Sequence, residues 1–221
     1  MKLLSVISAR STWLFNLADL NPKGIRLFPQ MTEALTEAYD FDDQPDDAPL
    51  APGDTPSQPG LKFRNGMFDT EQGPVRVALE LYDDGIIADS AATTDITNRF
   101  LQHVIDWAAK SFDLTFDSSL ITNRIYGSEV TVQLSSHLAQ TLKPLGAFSE
   151  LLSKTSFSQP PQKYFATGLN FTTASGSAPF AIEKRANTAP EVNVFYSKAM
   201  TDTTTHLKLL EQLDQMLDGC E

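Results

Sequence analysis

Alternation of apolar and polar side chains, recurring in separate short segments, is the feature that most constrains what this chain can fold into. Ile7, Ala9, Ser11, Trp13, Phe15 and Leu17 alternate with Ser8, Arg10, Thr12, Leu14 and Asn16. Successive side chains of a strand point to opposite faces, so this segment reads as a strand with one mostly apolar and one mostly polar side. Val75, Val77, Leu79 and Leu81 alternate with Arg76, Ala78, Glu80 and Tyr82, and Asp83-Asp84-Gly85 supplies turn chemistry before Ile86 and Ile87 resume. A hairpin follows. Val130, Val132 and Leu134 alternate with Glu129, Thr131 and Gln133, and Phe165, Leu169 and Phe171 with smaller or polar residues. Further short strands are expected around Phe180 to Ile182 and Val192 to Tyr196. Strands with one wet face belong to antiparallel sheets, whereas a parallel sheet covered on both faces shows near-continuous apolar runs. The βαβ nucleotide-binding folds are therefore disfavoured.

Helical periodicity supplies the second layer. From Thr94 or Asp95, residues Ile96, Phe100, Val104, Trp107 and Ala108 fall on one face, widened by Leu101 and Ile105, and the stripe predicts a helix laid over the sheet. Ser136 is placed to cap a second helix through Leu138 and Leu142, with a break at Pro144 and Gly146 before Phe148, Leu151 and Leu152. A third, opening near Thr201 or Asp202, carries Leu207, Leu210, Leu213, Met216 and Leu217 to a stop at Gly219. Ala34, Leu35, Ala38 and Tyr39 fit a short helix after Thr32. The fold expected is two-layer α+β: a mostly antiparallel sheet of six or more strands with helices on one face.

The whole chain, residues 1–221, is expected to form a single domain: an N-terminal strand and short helix over 1–39, an acidic Pro-rich loop or linker over 40–60, and a main body over 61–221. The loop rests on Asp40, Asp42, Asp43, Asp46, Asp47 and Asp54 beside five prolines, with no Lys or Arg, a composition that opposes regular structure. Residues 61–113 and 164–218 share strands, a Thr- and Asp-bearing cap and one long helix. Aligning Leu101, Val104 and Trp107 with Leu207, Leu210 and Leu213 suggests a weak internal duplication, although the preceding strands then fit poorly.

Charge and cysteine usage exclude several classes of function. A net charge of −11 opposes the counterion release that drives nucleic-acid binding, so no nucleic-acid partner is expected. No run of about 18 apolar residues offers a membrane span, and the N-terminal apolar run is broken at Arg10, too early for a signal peptide. Cys220 is the one cysteine. It leaves no intramolecular disulfide and no multi-thiolate zinc site, which points to a reducing, cytoplasmic setting.

No reactive constellation stands out. His103, His137 and His206 form no H-x-x-x-H or H-E-x-x-H spacing, so no metal ligands are assigned. His103 reads as a core-edge imidazole, and His137 and His206 as exposed polar residues in first helical turns. The pairs Asp42-Asp43, Asp46-Asp47 and Asp83-Asp84 lie in loops or a turn where nothing raises a carboxyl pKa. Asn170-Phe171-Thr172 matches a glycosylation sequon but reads as a core-lining strand. There is no G-x-S-x-G elbow, no phosphate-binding glycine loop and no EF-hand spacing, so neither catalytic residues nor a cofactor are assigned. Polar strand faces carry Arg10, Thr12, Asn16, Arg76, Glu80, Tyr82, Thr131 and Gln133, read as solvent contact or as a recognition sheet.

The chain is accordingly read as non-enzymatic: a protein-interaction or assembly subunit, acting through self-association or a protein partner. Two alternatives stay open. One is a small-molecule binding or hydrolytic domain with a pocket between sheet and helices, using a histidine with a carboxylate such as Asp106 or Glu129. The other is an acidic regulator that docks a basic partner through residues 40–60.

Overall fold

A computed structural model of the chain describes residues 1–21, 28–42, 60–135, 138–155, 163–176, 179–189 and 192–218. Ser136, His137, Gly219, Cys220 and residues 43–59 of the acidic segment lie outside them. The elements run β1 (Lys2–Leu14), α1 (Phe28–Tyr39), β2 (Leu61–Thr70), β3 (Gly73–Tyr82), β4 (Gly85–Ser90), α2 (Thr94–Phe112), β5 (Asn123–Gln133), α3 (Leu138–Thr141), α4 (Gly146–Thr155), β6 (Gly168–Phe171), β7 (Phe180–Lys184), β8 (Val194–Ala199) and α5 (Thr203–Asp218). The strands form one antiparallel sheet in the order β2-β3-β4-β1-β5-β8-β7-β6. The α+β architecture read from alternation is the one observed. The chain divides into two compact units, one of Ser8–Ser128 with Thr201–Thr203, the other of Met1–Ile7, Glu129–Met200 and Thr204–Glu221. They are called here the N-terminal and C-terminal units.

In the N-terminal unit the alternation of β1 becomes a buried row, Ala9, Ser11, Trp13 and Phe15, and an opposite row that meets water. The buried row joins Phe63, Phe68, Leu79 and Ile86 in one core, closed by Leu35 and Tyr39 of α1 and by Phe100, Leu101, Val104 and Ile105 of α2. Cross-strand ion pairs occupy the other face. Arg10 opposes Asp89 in register and binds it at 2.8 and 2.9 Å, and Lys62 opposes Glu80 at 3.5 Å. The hairpin turn falls at Asp83-Asp84, whose carbonyls accept from the Leu17 and Phe15 backbone N–H groups at 2.8 and 3.0 Å. Gly85 is required there because a Cβ would collide with the Trp13 carbonyl oxygen. The strand ends earlier than its apolar pattern suggests: Asn16 Oδ1 accepts from Ala18 N–H at 3.1 Å and turns Leu17–Leu20 into a 3-10 helix.

A polar network lies beneath α2 in this unit. Ser11 and Thr97 hydroxyls meet at 2.6 Å, Thr97 donates to the Thr94 carbonyl at 3.0 Å, and Thr94 and Thr203 exchange two bonds, each backbone N–H to the other's hydroxyl, at 3.0 and 2.9 Å. Helix starts leave backbone donors without an intrahelical acceptor, and here buried threonine oxygens take that place.

The C-terminal unit holds its own core, in which Val130, Val132, Leu138, Leu142, Ile182, Phe195 and Leu210 are buried together. Asp214 is buried as well, accepting from the Ser135 backbone N–H at 3.0 and 3.1 Å and pairing with the Met1 ammonium at 2.8 Å. Three expectations are corrected. Thr131, read as part of a wet face, is fully buried between two buried valines. Asn170 and Phe171 line no core, because β6 is the terminal strand of the sheet and both are exposed there. Phe165 and Met216 are exposed too.

The N-terminal unit runs strand, helix, three strands and helix, and the C-terminal unit follows the same order with two helices, α3 and α4, in place of the first. Thr94 and Thr203, which open α2 and α5, stand 109 residues apart. Gly85–Ser90 and Val194–Ala199 stand at the same spacing.

Candidate functional site

Among the described residues, neither His103 nor His206 completes an acid–base pair with a carboxylate. His103 Nδ1 lies 2.8 Å from the Tyr39 hydroxyl, and the two rings sit edge to face. Burial pushes the Tyr39 phenol above its ordinary pKa, so its hydroxyl keeps its proton, while His103, whose ring it meets, is exposed. Asp106, one turn on, accepts from Gln102 Nε2 at 2.9 Å instead. Glu129 pairs with Lys198 at 2.9 Å. The Tyr196 phenol is pushed up to about 12 by burial and by its bond to Glu129. His137 lies outside the described residues.

His206 differs from expectation. Read as an exposed first-turn residue, it is fully buried, edge to face with Phe180 at 5.7 Å. Its Nε2 lies 2.9 Å from Ser197 Oγ, and that hydroxyl donates its proton to the Ala181 carbonyl at 2.7 Å. The hydroxyl oxygen must therefore accept from Nε2–H, which leaves Nδ1 as a bare acceptor without a partner. Burial lowers the pKa to about 4. A neutral imidazole with no carboxylate beside it holds a strand and a helix together and is not set up for proton transfer. The Ser197 partner had no signal in the sequence, since a strand serine and a helix histidine nine residues apart share no motif.

Among the described residues no group of three or more His, Cys, Asp or Glu gathers as metal ligands would. The N-terminal unit contains a cavity of about 310 Å³ between Phe15, Leu35, Leu81, Ile86, Val104 and Phe116. Asp83 is the one charged residue among the described residues of its wall. The wall offers an apolar guest contact area and almost no chemistry.

The most unusual surface is in the C-terminal unit, on α4. The corresponding helix of the other unit, α1, buries Leu35 and Tyr39, whereas α4 has no fully buried residue among those described. Leu145, Phe148 and Leu151 are exposed at 50%, 59% and 55%. Spaced by three, they form an apolar stripe on and just before the helix. The sequence shows the stripe, but its periodicity says only that some apolar face exists and not what lies against it.

No protein-family model matches this chain, and no curated protein is significantly similar to it. Among solved structures it is similar to Methanococcus jannaschii TBP, at 13% sequence identity and a TM-score of 0.44, over 97% of this chain and 98% of that one. A likeness of that size carries neither function nor partner to this chain. Among the described residues no helix is long and apolar enough to cross a membrane.

Proposed function

We propose that the chain is a non-catalytic assembly subunit that pairs with a second copy of itself through the exposed stripe of α4. The observation that carries this reading is the exposure of Leu145, Phe148 and Leu151 in one row on and just before α4. Isolated exposed apolar residues are ordinary, but a contiguous row on a helix fits a partner's matching row. The charge distribution supports a like partner. The C-terminal unit carries eight Lys and Arg against eight Asp and Glu, and the N-terminal unit nine against twenty, so the whole net charge of −11 belongs to the latter. A neutral unit meets its copy without net repulsion, and two α4 helices related by a two-fold axis present the same stripe to each other. Burying the half-exposed remainder of three side chains from each copy releases roughly 5–10 kcal/mol before association costs of similar size are subtracted, so the pairing is weak and concentration-dependent. A cytoplasmic setting accompanies this reading, as the chain's lone cysteine suggests.

The double variant Phe148→Glu/Leu151→Glu is expected to remain a monomer, by light scattering, at concentrations where the parent chain doubles its mass. Its melting temperature, measured at a concentration where both are monomeric, should be unchanged because both positions face water. Equal masses for variant and parent would remove the proposal.

One observation favours a second reading, the apolar cavity of the N-terminal unit. It suits a small apolar guest. The hydrolytic form of that reading has no support, because neither His103, His206, Asp106 nor Glu129 lines the cavity. The acidic-regulator reading rests on residues 40–60, of which only 40–42 and 60 are described.

A further inference from the structure

We infer that the C-terminal unit contains a binding site for a small phosphorylated molecule carrying an aromatic ring, in a cleft on the side of α4 opposite the apolar stripe. The cleft encloses about 710 Å³, within the range that small-molecule sites occupy. One wall is α4, where Gly146, Ser149, Glu150, Ser153 and Lys154 recur at helical spacing. The other is the segment at 163–167. The two walls are tied together: Ser153 Oγ donates to the Ser149 carbonyl at 2.8 Å and accepts from Tyr164 N–H at 3.0 Å.

The chemistry of the lining is at odds with the chain as a whole. In a protein with 17 Lys and Arg against 28 Asp and Glu, the described lining of the cleft gathers Lys143, Lys154, Lys163 and Lys184 with one carboxylate among the described residues, Glu150. Lys143, Lys154 and Lys163 have no carboxylate partner among the described residues. Lys184 is fixed in place by donating to the Val192 carbonyl at 2.8 Å, with its ammonium 5.8 Å from the Phe195 ring centroid. Four ammonium groups around a concave surface repel one another, and a concave surface with low-dielectric walls focuses their field on an anion. An anion with more than one charge relieves that repulsion best. Lysines serve phosphate as point charges and need no bidentate geometry, which suits four groups arriving from separate elements.

The ring half of the inference rests on Tyr164 and Phe165, which line the same cleft and are both exposed. Adjacent aromatic faces left open to water beside cations offer stacking to a planar body. No glycine-rich phosphate loop is involved, so this site differs in kind from the nucleotide-binding modes that the sequence excludes. It is also independent of self-association, which uses the other face of α4.

The test is calorimetric titration of the full-length chain with ADP, inorganic pyrophosphate and adenosine at low ionic strength. ADP is expected to bind with a dissociation constant below about 1 mM, pyrophosphate more weakly, and adenosine without measurable heat. Raising the salt from about 20 to about 300 mM should weaken ADP binding, as for any charge-led site open to solvent. The variant Lys154→Glu/Lys163→Glu should lose at least about tenfold in ADP affinity with its melting temperature retained, since both side chains are exposed. Arg99→Glu/Lys110→Glu, which makes the same change in net charge on α2, should bind ADP as the parent does. Failure of both ADP and pyrophosphate to bind would overturn the site, as would equal losses in the two variants. Pyrophosphate binding as tight as ADP would overturn the aromatic half.

Discussion

Phe100→Ala is expected to lower the unfolding free energy by about 3–5 kcal/mol, the largest single-residue effect anticipated in the chain. Phe100 is fully buried on α2. Its ring lies 5.3 Å from Tyr39 of α1, edge to face, and 5.4 Å from Phe68 of β2. The truncation thus removes apolar area and also opens a void where two helices and a strand converge, and the surrounding side chains cannot all relax into it. Urea denaturation followed by far-UV circular dichroism would read the change as a shift in midpoint at constant slope. A loss below about 1 kcal/mol would mean that α2 does not close this core. Phe148→Ala on α4 provides the contrast: in the monomer it should cost no more than about 0.5 kcal/mol, because that ring faces water.

The second large effect is a loss of stability in mild acid. His206 is neutral and fully buried in the folded chain, where its pKa falls to about 4, while in the unfolded chain it titrates near the ordinary imidazole value of about 6.5. Between those two values the unfolded state binds the extra proton, so stability rises with pH across that window and is lost as pH falls through it. The full loss between about pH 6.5 and 4 comes to about 3 kcal/mol, at roughly 1.4 kcal/mol per pKa unit. His206→Gln keeps a side-chain N–H that can donate to Ser197 Oγ and does not titrate. Its stability should be flatter than the parent's from pH 7 down to about 4.5. Parallel curves for the two proteins would show that His206 is protonated without penalty in the native state.

Legibility of the fold followed the physics of each element. The β1 pattern was readable because every second residue from Ala9 to Phe15 is buried, so side-chain period and burial coincide. The Asp83-Asp84 turn was readable from its own chemistry. The start of α2 was marked by Thr94 and Asp95, and the breaks around Pro144 and Gly146 fall between α3, a 3-10 turn and α4. What escaped depended on neighbours remote in sequence. Thr131 looks like an outward residue of a half-wet strand until the surrounding structure buries it. His206 and Asp214 occupy buried positions of α5 that a hydrophobic stripe cannot reveal, because their partners, Ser197 and the Ser135 backbone, come from other elements.

The suspected repeat shows the same limit. Matching Leu101 with Leu207 sets a spacing three residues short of the one defined by Thr94 and Thr203. At the spacing set by those threonines, β4 and β8 align end to end, and Thr97 falls on His206 and Leu101 on Leu210, all four fully buried. Helical apolar stripes repeat every three to four residues, so a one-turn slip preserves the stripe and misplaces the strands before it. We propose duplication as the origin of this shared order.

Of the candidate site, the composition of α4 was visible and its exposure was not. A stripe reads the same whether it lies against a sheet or against another chain. Hydrogen–deuterium exchange across α4, compared between dilute and concentrated protein, tests the assembly claim most directly. The account predicts that amides of Gly146–Thr155 exchange quickly when dilute and are protected when concentrated, while those of α2 stay protected in both. Identical exchange of α4 at the two concentrations would contradict it.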